Sequence, residues 1–330
     1  MIEPDYILGG YMKHVVVYFS QTGNTKKVGE VIRDAIESIA GQCDIVRMEE
    51  ADIKVLGGYD LIGLGCPTFA YAEPANVKAF IKTMGPLKGR QSFIFSTYGG
   101  HPGNVLPSMA RKLRRQGLKV VGGFNCDGWD HMPHYTSPWY TEGHPDEVDL
   151  KAAAYFGREM AQRSRMINGG EKVSLPKFQW LKGFYEEGPK TTQVNRPLSR
   201  DFKIKMTVDT KECRYPKCRL CVDNCPVNAI DLSVSPIVFR KGCISCYFCE
   251  MLCPTGAIEA DPASVKAHQQ GTIEMLLQRK YPEFFEKAKT ELIDNRSTLY
   301  RMLVDRVEIG NMLTLYEEFL DKRPRYIIRK

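Results

Sequence analysis

Eight of the eleven cysteines in this 330-residue chain fall in two runs, Cys213, Cys218, Cys221 and Cys225 followed by Pro226, and Cys243, Cys246, Cys249 and Cys253 followed by Pro254. Thiolates at two-residue spacing wrap tightly enough to reach three corners of one inorganic cube. A fourth cysteine, released where a proline ends the turn, reaches across to the other cube. That crossing assigns Cys213, Cys218, Cys221 and Cys253 to one 4Fe-4S cluster, and Cys243, Cys246, Cys249 and Cys225 to a second. One interval departs from the usual gap, because Arg214, Tyr215, Pro216 and Lys217 separate Cys213 from Cys218. Zinc ribbons and structural disulfides are the plainer readings of spaced cysteines; zinc would need only four ligands per site and no crossed Cys-Pro arrangement.

An internal repeat supports the pairing. Cys-Pro-Val-Asn-Ala-Ile at 225–230 returns as Cys-Pro-Thr-Gly-Ala-Ile at 253–258, and positions 218, 221 and 225 each recur 28 residues later. Each half opens with a strand-like segment, 205–208 and 236–240, so two copies can fold about a pseudo-twofold axis. On these residues, 205–262 resemble the bacterial two-cluster ferredoxins, an α+β fold.

A different chemistry opens the chain. Residues 14–19, His-Val-Val-Val-Tyr-Phe, suit a strand buried on both faces, and they lead into Ser20, Gln21, Thr22, Gly23, Asn24 and Thr25 before an amphipathic stretch at 27–40. Helix-start amides and the positive end of the dipole face an anion there, Gly23 lets the backbone come close, and the hydroxyls of Ser20, Thr22 and Thr25 can donate to phosphate oxygens. Neither a Walker lysine nor Gly-x-Gly-x-x-Gly is present, which points to a monophosphate rather than a triphosphate or dinucleotide. A plain helix cap is the alternative. The loop resembles the FMN-phosphate loop of flavodoxins, Ser/Thr-x-Thr-Gly-x-Thr, at every position.

The next two strands, 60–65 and 92–96, end in Cys66, Pro67, Thr68, Phe69, Ala70 and Tyr71, and in Thr97, Tyr98, Gly99, Gly100 and His101. In an α/β doubly wound parallel sheet of order 2-1-3-4-5 these loops flank the switch point beside the first strand, where a ligand sits. Backbone groups of 66–71 and 97–100 can hydrogen-bond a flavin edge. Tyr98 is the first candidate for stacking on the isoalloxazine, Tyr71 or Phe69 the second, unless these rings pack on their own loops. His101 is either near the flavin or a helix-start residue.

The elements that must position these groups are legible in outline. Residues 119–126 read as a fifth strand and 147–166, after Pro145, as the closing helix, giving a flavin domain at 13–167. Residues 168–204 read as a linker wrapping the domains, pinned by Trp180, Phe184 and Tyr185. The two-cluster unit occupies 205–262, and 263–330 read as a helical extension serving as appendage or docking surface. Between them, 129–140 are crowded with rings and histidines; the segment either covers the flavin or forms a seam, and no carboxylate or cysteine accompanies His131, His134 or His144 at ligand spacing. The basic run 111–115 reads as a solvated helix face, or as a dock for an acidic partner. Cys43, Cys66 and Cys126 lie at strand edges and read as core packing.

Composition fits this plan. Apolar content of 43% supports two cores without disulfides. No leader-like segment and no run near the ~18 apolar residues of a membrane span occurs. Thiolates reserved for iron imply a reducing cytoplasm, in an organism that tolerates little oxygen. The formal charge of +7 would suggest nucleic acid, but two cubes and an FMN phosphate bring the loaded chain to about +1.

Taken over 13–262, the chain resembles the flavodoxin-ferredoxin fusion family of anaerobic bacteria and archaea. The resemblance implies FMN and two 4Fe-4S clusters exchanging electrons with a redox partner protein, such as a separate ferredoxin or reductase, with no nucleic acid and no membrane span. The expected function is to couple a low-potential one-electron donor to a one- or two-electron acceptor. The alternative is an FMN-dependent reductase, an oxidoreductase fed by the clusters, acting on a small substrate over the flavin with His131 or His134 as proton donor.

Overall fold

The computed structural model describes residues 12–69, 71–99, 102–131, 143–180, 206–234, 238–239 and 242–261. The helical reading of 263–330 lies outside the described residues, as do Phe184 and Tyr185. The chain divides into two compact units, Met1–Trp129 with Gly143–Leu181, and Asp130–Glu142 with Lys182–Lys330.

The first unit is a five-stranded sheet of order β2-β1-β3-β4-β5, parallel throughout, from β1 (His14–Tyr18), β2 (Cys43–Arg47), β3 (Leu61–Pro67), β4 (Gln91–Tyr98) and β5 (Lys119–Asp127). Crossovers run through α1 (Asn24–Ala40), α2 (Ala75–Thr83) and α3 (Val105–Arg115), and α4 (Glu147–Asn168) follows β5. Every residue of β1 is buried, as expected of an apolar β-branched strand covered on both faces. Packing places α1 against α4, and α2 against α3. Two glycines of β3 make the sheet possible at its centre: a methyl on Gly63 or Gly65 would enter the ring of Phe93 or Phe95 on the neighbouring strand. Gly157 likewise lets α4 approach α1, where an added Cβ would lie 2.7 Å from the Ile32 carbonyl oxygen.

Asp146 caps α4, accepting from the amides of Val148 (2.8 Å) and Asp149 (3.0 Å), while Asp149 returns a bond to the Asp146 amide (2.9 Å). Beyond α4 the chain folds back to α3. Arg111 lies over the ring of Trp180, 5.0 Å from its centroid, Arg114 lies 5.8 Å from that of Phe178, and Arg114 donates to the Pro176 carbonyl at 2.9 Å. The basic run keeps the solvated face its spacing suggests, with Arg111, Arg114 and Arg115 exposed, and two of its guanidiniums also cover aromatic rings. Cys43, Cys66 and Cys126 are buried in the core, and burial pushes the Cys43 and Cys126 thiols up to about 12.

The described elements of the second unit are short. The strand that opens one half of the repeat pairs with the strand that closes the other: β6 (Met206–Val208) with β9 (Ile258–Ala260), and β7 (Ile230–Asp231) with β8 (Val238–Phe239), both antiparallel. Between them lie the short helices α5 (Leu220–Asp223) and α6 (Phe248–Leu252), one repeat apart. Among the described residues, no helix is long and apolar enough to cross a membrane.

Candidate redox-cofactor sites

In the first unit, the C-terminal ends of β1, β3 and β4 bring three loops together. Gly23 caps α1 with φ 102°, a left-handed conformation that favours glycine, and its amide donates to the Ser20 hydroxyl at 3.2 Å. No side chain caps the helix and no acid sits in its first turn, which instead carries Lys26 and Lys27. Helix-start amides in that setting suit an anion. Asn24 and Thr25 are committed elsewhere: Asn24 Nδ2 donates to the Trp129 carbonyl at 2.8 Å, and the Thr25 and Thr97 hydroxyls share a buried 2.7 Å bond. The expectation that the Thr25 hydroxyl faces phosphate thus meets a competing partner from the next loop but one.

The loop after β3 is held firmly. The Thr68 amide donates to the Thr97 carbonyl (2.8 Å), Phe69 and Ala72 exchange backbone bonds of 2.9 and 3.0 Å, and the Phe69 ring meets Phe19 edge-on at 6.5 Å. Tyr71 is left-handed (φ 63°), and its carbonyl accepts from the Asn104 amide at 2.8 Å. Gly103, at φ 56°, packs so closely on the Tyr71 backbone that a Cβ there would overlap it. Sequence reasoning missed this staple between the loops, although Pro102-Gly103-Asn104 carries turn chemistry. Tyr98 ends β4 with its hydroxyl bonded to Asp127; burial, then that carboxylate, holds its pKa well above the usual phenol range. Ala70, Gly100 and His101 lie outside the described residues.

Do these residues fit FMN? Among the described residues of the loops, two buried polar atoms have no partner of their own, Gln21 Nε2 and Thr68 Oγ1, and a buried polar atom left unsatisfied is costly. A ligand carrying donors and acceptors across the mouth of the three loops would satisfy them. With an uncapped helix start and open space above Gly23, the residues fit the group.

His144, read as lacking carboxylate company, has it from distant positions: its Nδ1 lies 2.6 Å from Asp149 Oδ2, and Asp127 completes a trio within 4.8 Å. Only Trp129, Asp130 and His131 of the aromatic segment 129–140 are among the described residues; His134 lies outside them.

In the second unit the cysteines gather into two hollows. Cys213, Cys218, Cys221 and Cys253 line one, with Arg214 and Thr255; Cys225, Cys243, Cys246 and Cys249 line the other, with Ile244 and Val227. These are the two crossed sets read from the spacing, and the crossed pairing of β6 with β9 and β7 with β8 carries Cys253 and Cys225 to the opposite halves. The Cys213 run forms despite its four-residue gap. Among the described residues, no trio of these sulfurs lies within 4.8 Å of one another. A zinc site would draw its thiolates to about 2.3 Å from one ion and hence about 3.8 Å apart, so the splayed sulfurs fit a cube better than a single ion.

The thiols feel one another. Burial and, beyond it, Cys253 and Cys213 push Cys221 up to about 11; burial, Cys246 and Cys243 push Cys249 higher still. Burial would also raise Cys253, but the Thr255 hydroxyl (3.6 Å) and the amides of Ile258, Thr255 and Ala257 hold it below the usual thiol value. The Ala229 amide donates to Cys225 Sγ at 3.2 Å and the Ser245 amide to Cys243 Sγ at 3.5 Å. Amides aimed at sulfur favour the thiolates that iron requires.

Comparison with known proteins finds a flavodoxin domain and a 4Fe-4S domain on this chain. The Flavodoxin domain family model matches residues 15–133, and the 4Fe-4S binding domain family model matches 236–259. Flavodoxin from Megasphaera elsdenii is 29% identical over 110 residues, 32% of this chain and 80% of that protein. An uncharacterized ferredoxin from Methanocaldococcus jannaschii is 34% identical over 61 residues, 18% of this chain and 98% of its own. A solved flavodoxin from the domain Archaea covers 47% of this chain and 99% of its own at 24% identity, with a TM-score of 0.38. The fold and matches define an FMN-carrying flavodoxin domain followed by a 4Fe-4S ferredoxin domain, a class with an electron-transfer role. The chain belongs to the flavodoxin-ferredoxin fusions.

Proposed function

We propose that this protein passes electrons between two 4Fe-4S clusters and FMN, coupling a low-potential one-electron donor to a one- or two-electron acceptor in a reducing cytoplasm. The observation that supports it is the segregation of eight cysteines into two four-thiol hollows on the same chain as the phosphate-suited loop at Ser20–Thr25. Cubanes supply one-electron steps and FMN one- or two-electron steps, so a chain holding both can match donors and acceptors of different electron number. The chain's own part is to hold and to tune. Cys213, Cys218, Cys221 and Cys253 would ligate one cube, and Cys225, Cys243, Cys246 and Cys249 the other, while amides of Ala229 and Ser245 lessen the charge on their sulfurs. Helix-start amides at Asn24 and Thr25 with Gly23 would seat the phosphate, and Thr68, Tyr71 and Tyr98 the ring. None of this needs a general acid or base.

Anaerobic purification followed by iron, sulfide and flavin analysis tests the proposal. About eight irons and one FMN per chain are expected from two cubes. Cys246→Ser should remove about half the iron while flavin stays bound; loss of flavin with all iron retained would contradict the assignment.

A further inference from the structure

The two hollows are related by an internal repeat, so a difference between them is a difference of residues and not of fold. The residue after the first cysteine of each run is Arg214 in one hollow and Ile244 in the other; the residue after the Cys-Pro pair is Thr255 in the first and Val227 in the second. Among the described residues, no charged side chain lines the second hollow. The surrounding charge follows the same sense. From first to last cysteine, the run 213–225 carries Arg214, Lys217 and Arg219 against Asp223, whereas 243–253 carries Glu250 alone. Arg219 is tied to Asp223 at 3.2 Å, and of these cations it is Arg214 that lines the first hollow.

Reduction of a four-thiolate cube adds one electron and takes the complex from about −2 to about −3, with no bond formed and no proton taken up. A cation nearby stabilises that added charge, and an apolar wall does not. We propose that Arg214 makes the cluster held by Cys213, Cys218, Cys221 and Cys253 the easier of the two to reduce. An electron delivered by an external low-potential one-electron donor then comes to rest beside Arg214, and the Cys225, Cys243, Cys246 and Cys249 set holds the lower-potential cluster. This rests on the two-cluster reading above.

The test is a dithionite titration of the anaerobic holoprotein at fixed potentials, with the two cluster signals followed by electron-paramagnetic resonance and iron counted on the same samples. Arg214→Gln should lower the higher-potential cluster step by about threefold in its equilibrium constant, about 28 mV at 59 mV per tenfold for one electron, and leave the lower step in place. Arg214→Lys should keep the wild-type value. Because Arg214 is exposed, about 0.5 M salt should shrink the shift. Steps that fall together, a shift confined to the lower step, or no shift with about eight irons present would overturn the role of Arg214 alone. Iron for one cluster only would overturn the two-cluster reading and this inference with it.

Discussion

His144 shows how a single residue can serve two neighbours. It precedes the capping box of α4, and its ring meets the same Asp149 carboxylate that bonds the Asp146 amide. Burial opposes its charge, but the Asp149 hydrogen bond, then Asp149, Asp146 and Asp127 as charges, raise its pKa above the ordinary value near 6.5. A raised folded-state pKa means stability that is fully present below about pH 6.5 and lost as pH rises through the folded value. The pair is partly exposed, so the effect is small. His144→Gln should lower the melting temperature of the flavin domain, read by flavin release, by about 1–2 °C at pH 6 and by much less at pH 9. A gap of the same size at both pH values would show that the imidazolium contributes nothing. The charged partners come from β5, from the turn before α4 and from the first turn of α4, which is why spacing in the sequence did not disclose them.

At the scale of elements, the strongest hidden device is the tie between the loop after β3 and α3. Glu73 is buried; its Oε1 accepts from the Ser108 hydroxyl (2.9 Å) and from Lys112 Nζ (2.6 Å), while Oε2 has no partner. Lys112→Met would leave a buried carboxylate with one neutral donor, at a cost of about 1–3 kcal/mol. Urea unfolding should show that loss, and adding Glu73→Gln should restore most of it; a double variant no better than the single would mean the charge is not the cause. This tie was not legible, because a lone Glu before a proline reads as loop until packing brings α3 over it. The apolar runs of β1, β3, β4 and β5 were legible, since strands covered on both faces carry little else. The edge strand β2, Cys-Asp-Ile-Val-Arg, was legible only as a strand edge at Cys43, because Asp44 and Arg47 break up its apolar run. α1 begins at Asn24, ahead of the expected start at 27, because Gly23 and not a polar cap begins it. Cysteine quartets were legible for a different reason: cube geometry dictates spacing, and spacing is visible without a fold.

The two units of the whole molecule hold themselves together by different means. The largest fully buried side chains among the described residues, Phe19, Phe93, Phe95 and Met109 with a set of leucines and isoleucines, all belong to the flavodoxin unit. Among the described residues of the ferredoxin unit the buried ones are few: Ala229, Ala257 and Ala260 with Ile230, Leu232, Ile258, Met251, Tyr247 and Cys221. Strands of two or three residues and helices of four or five cannot offset the conformational entropy of that stretch. Ligation by iron must supply the rest, as metal does in other small domains. Removing iron with ferricyanide and EDTA should therefore unfold residues 206–261 while the flavodoxin unit keeps FMN and its far-ultraviolet dichroism. Limited trypsin digestion of the stripped protein should degrade the cysteine-rich unit and spare a fragment ending near residue 180, whereas the loaded protein should resist cleavage within 206–261. A stripped ferredoxin unit as resistant as the loaded one would mean that its small core suffices without iron.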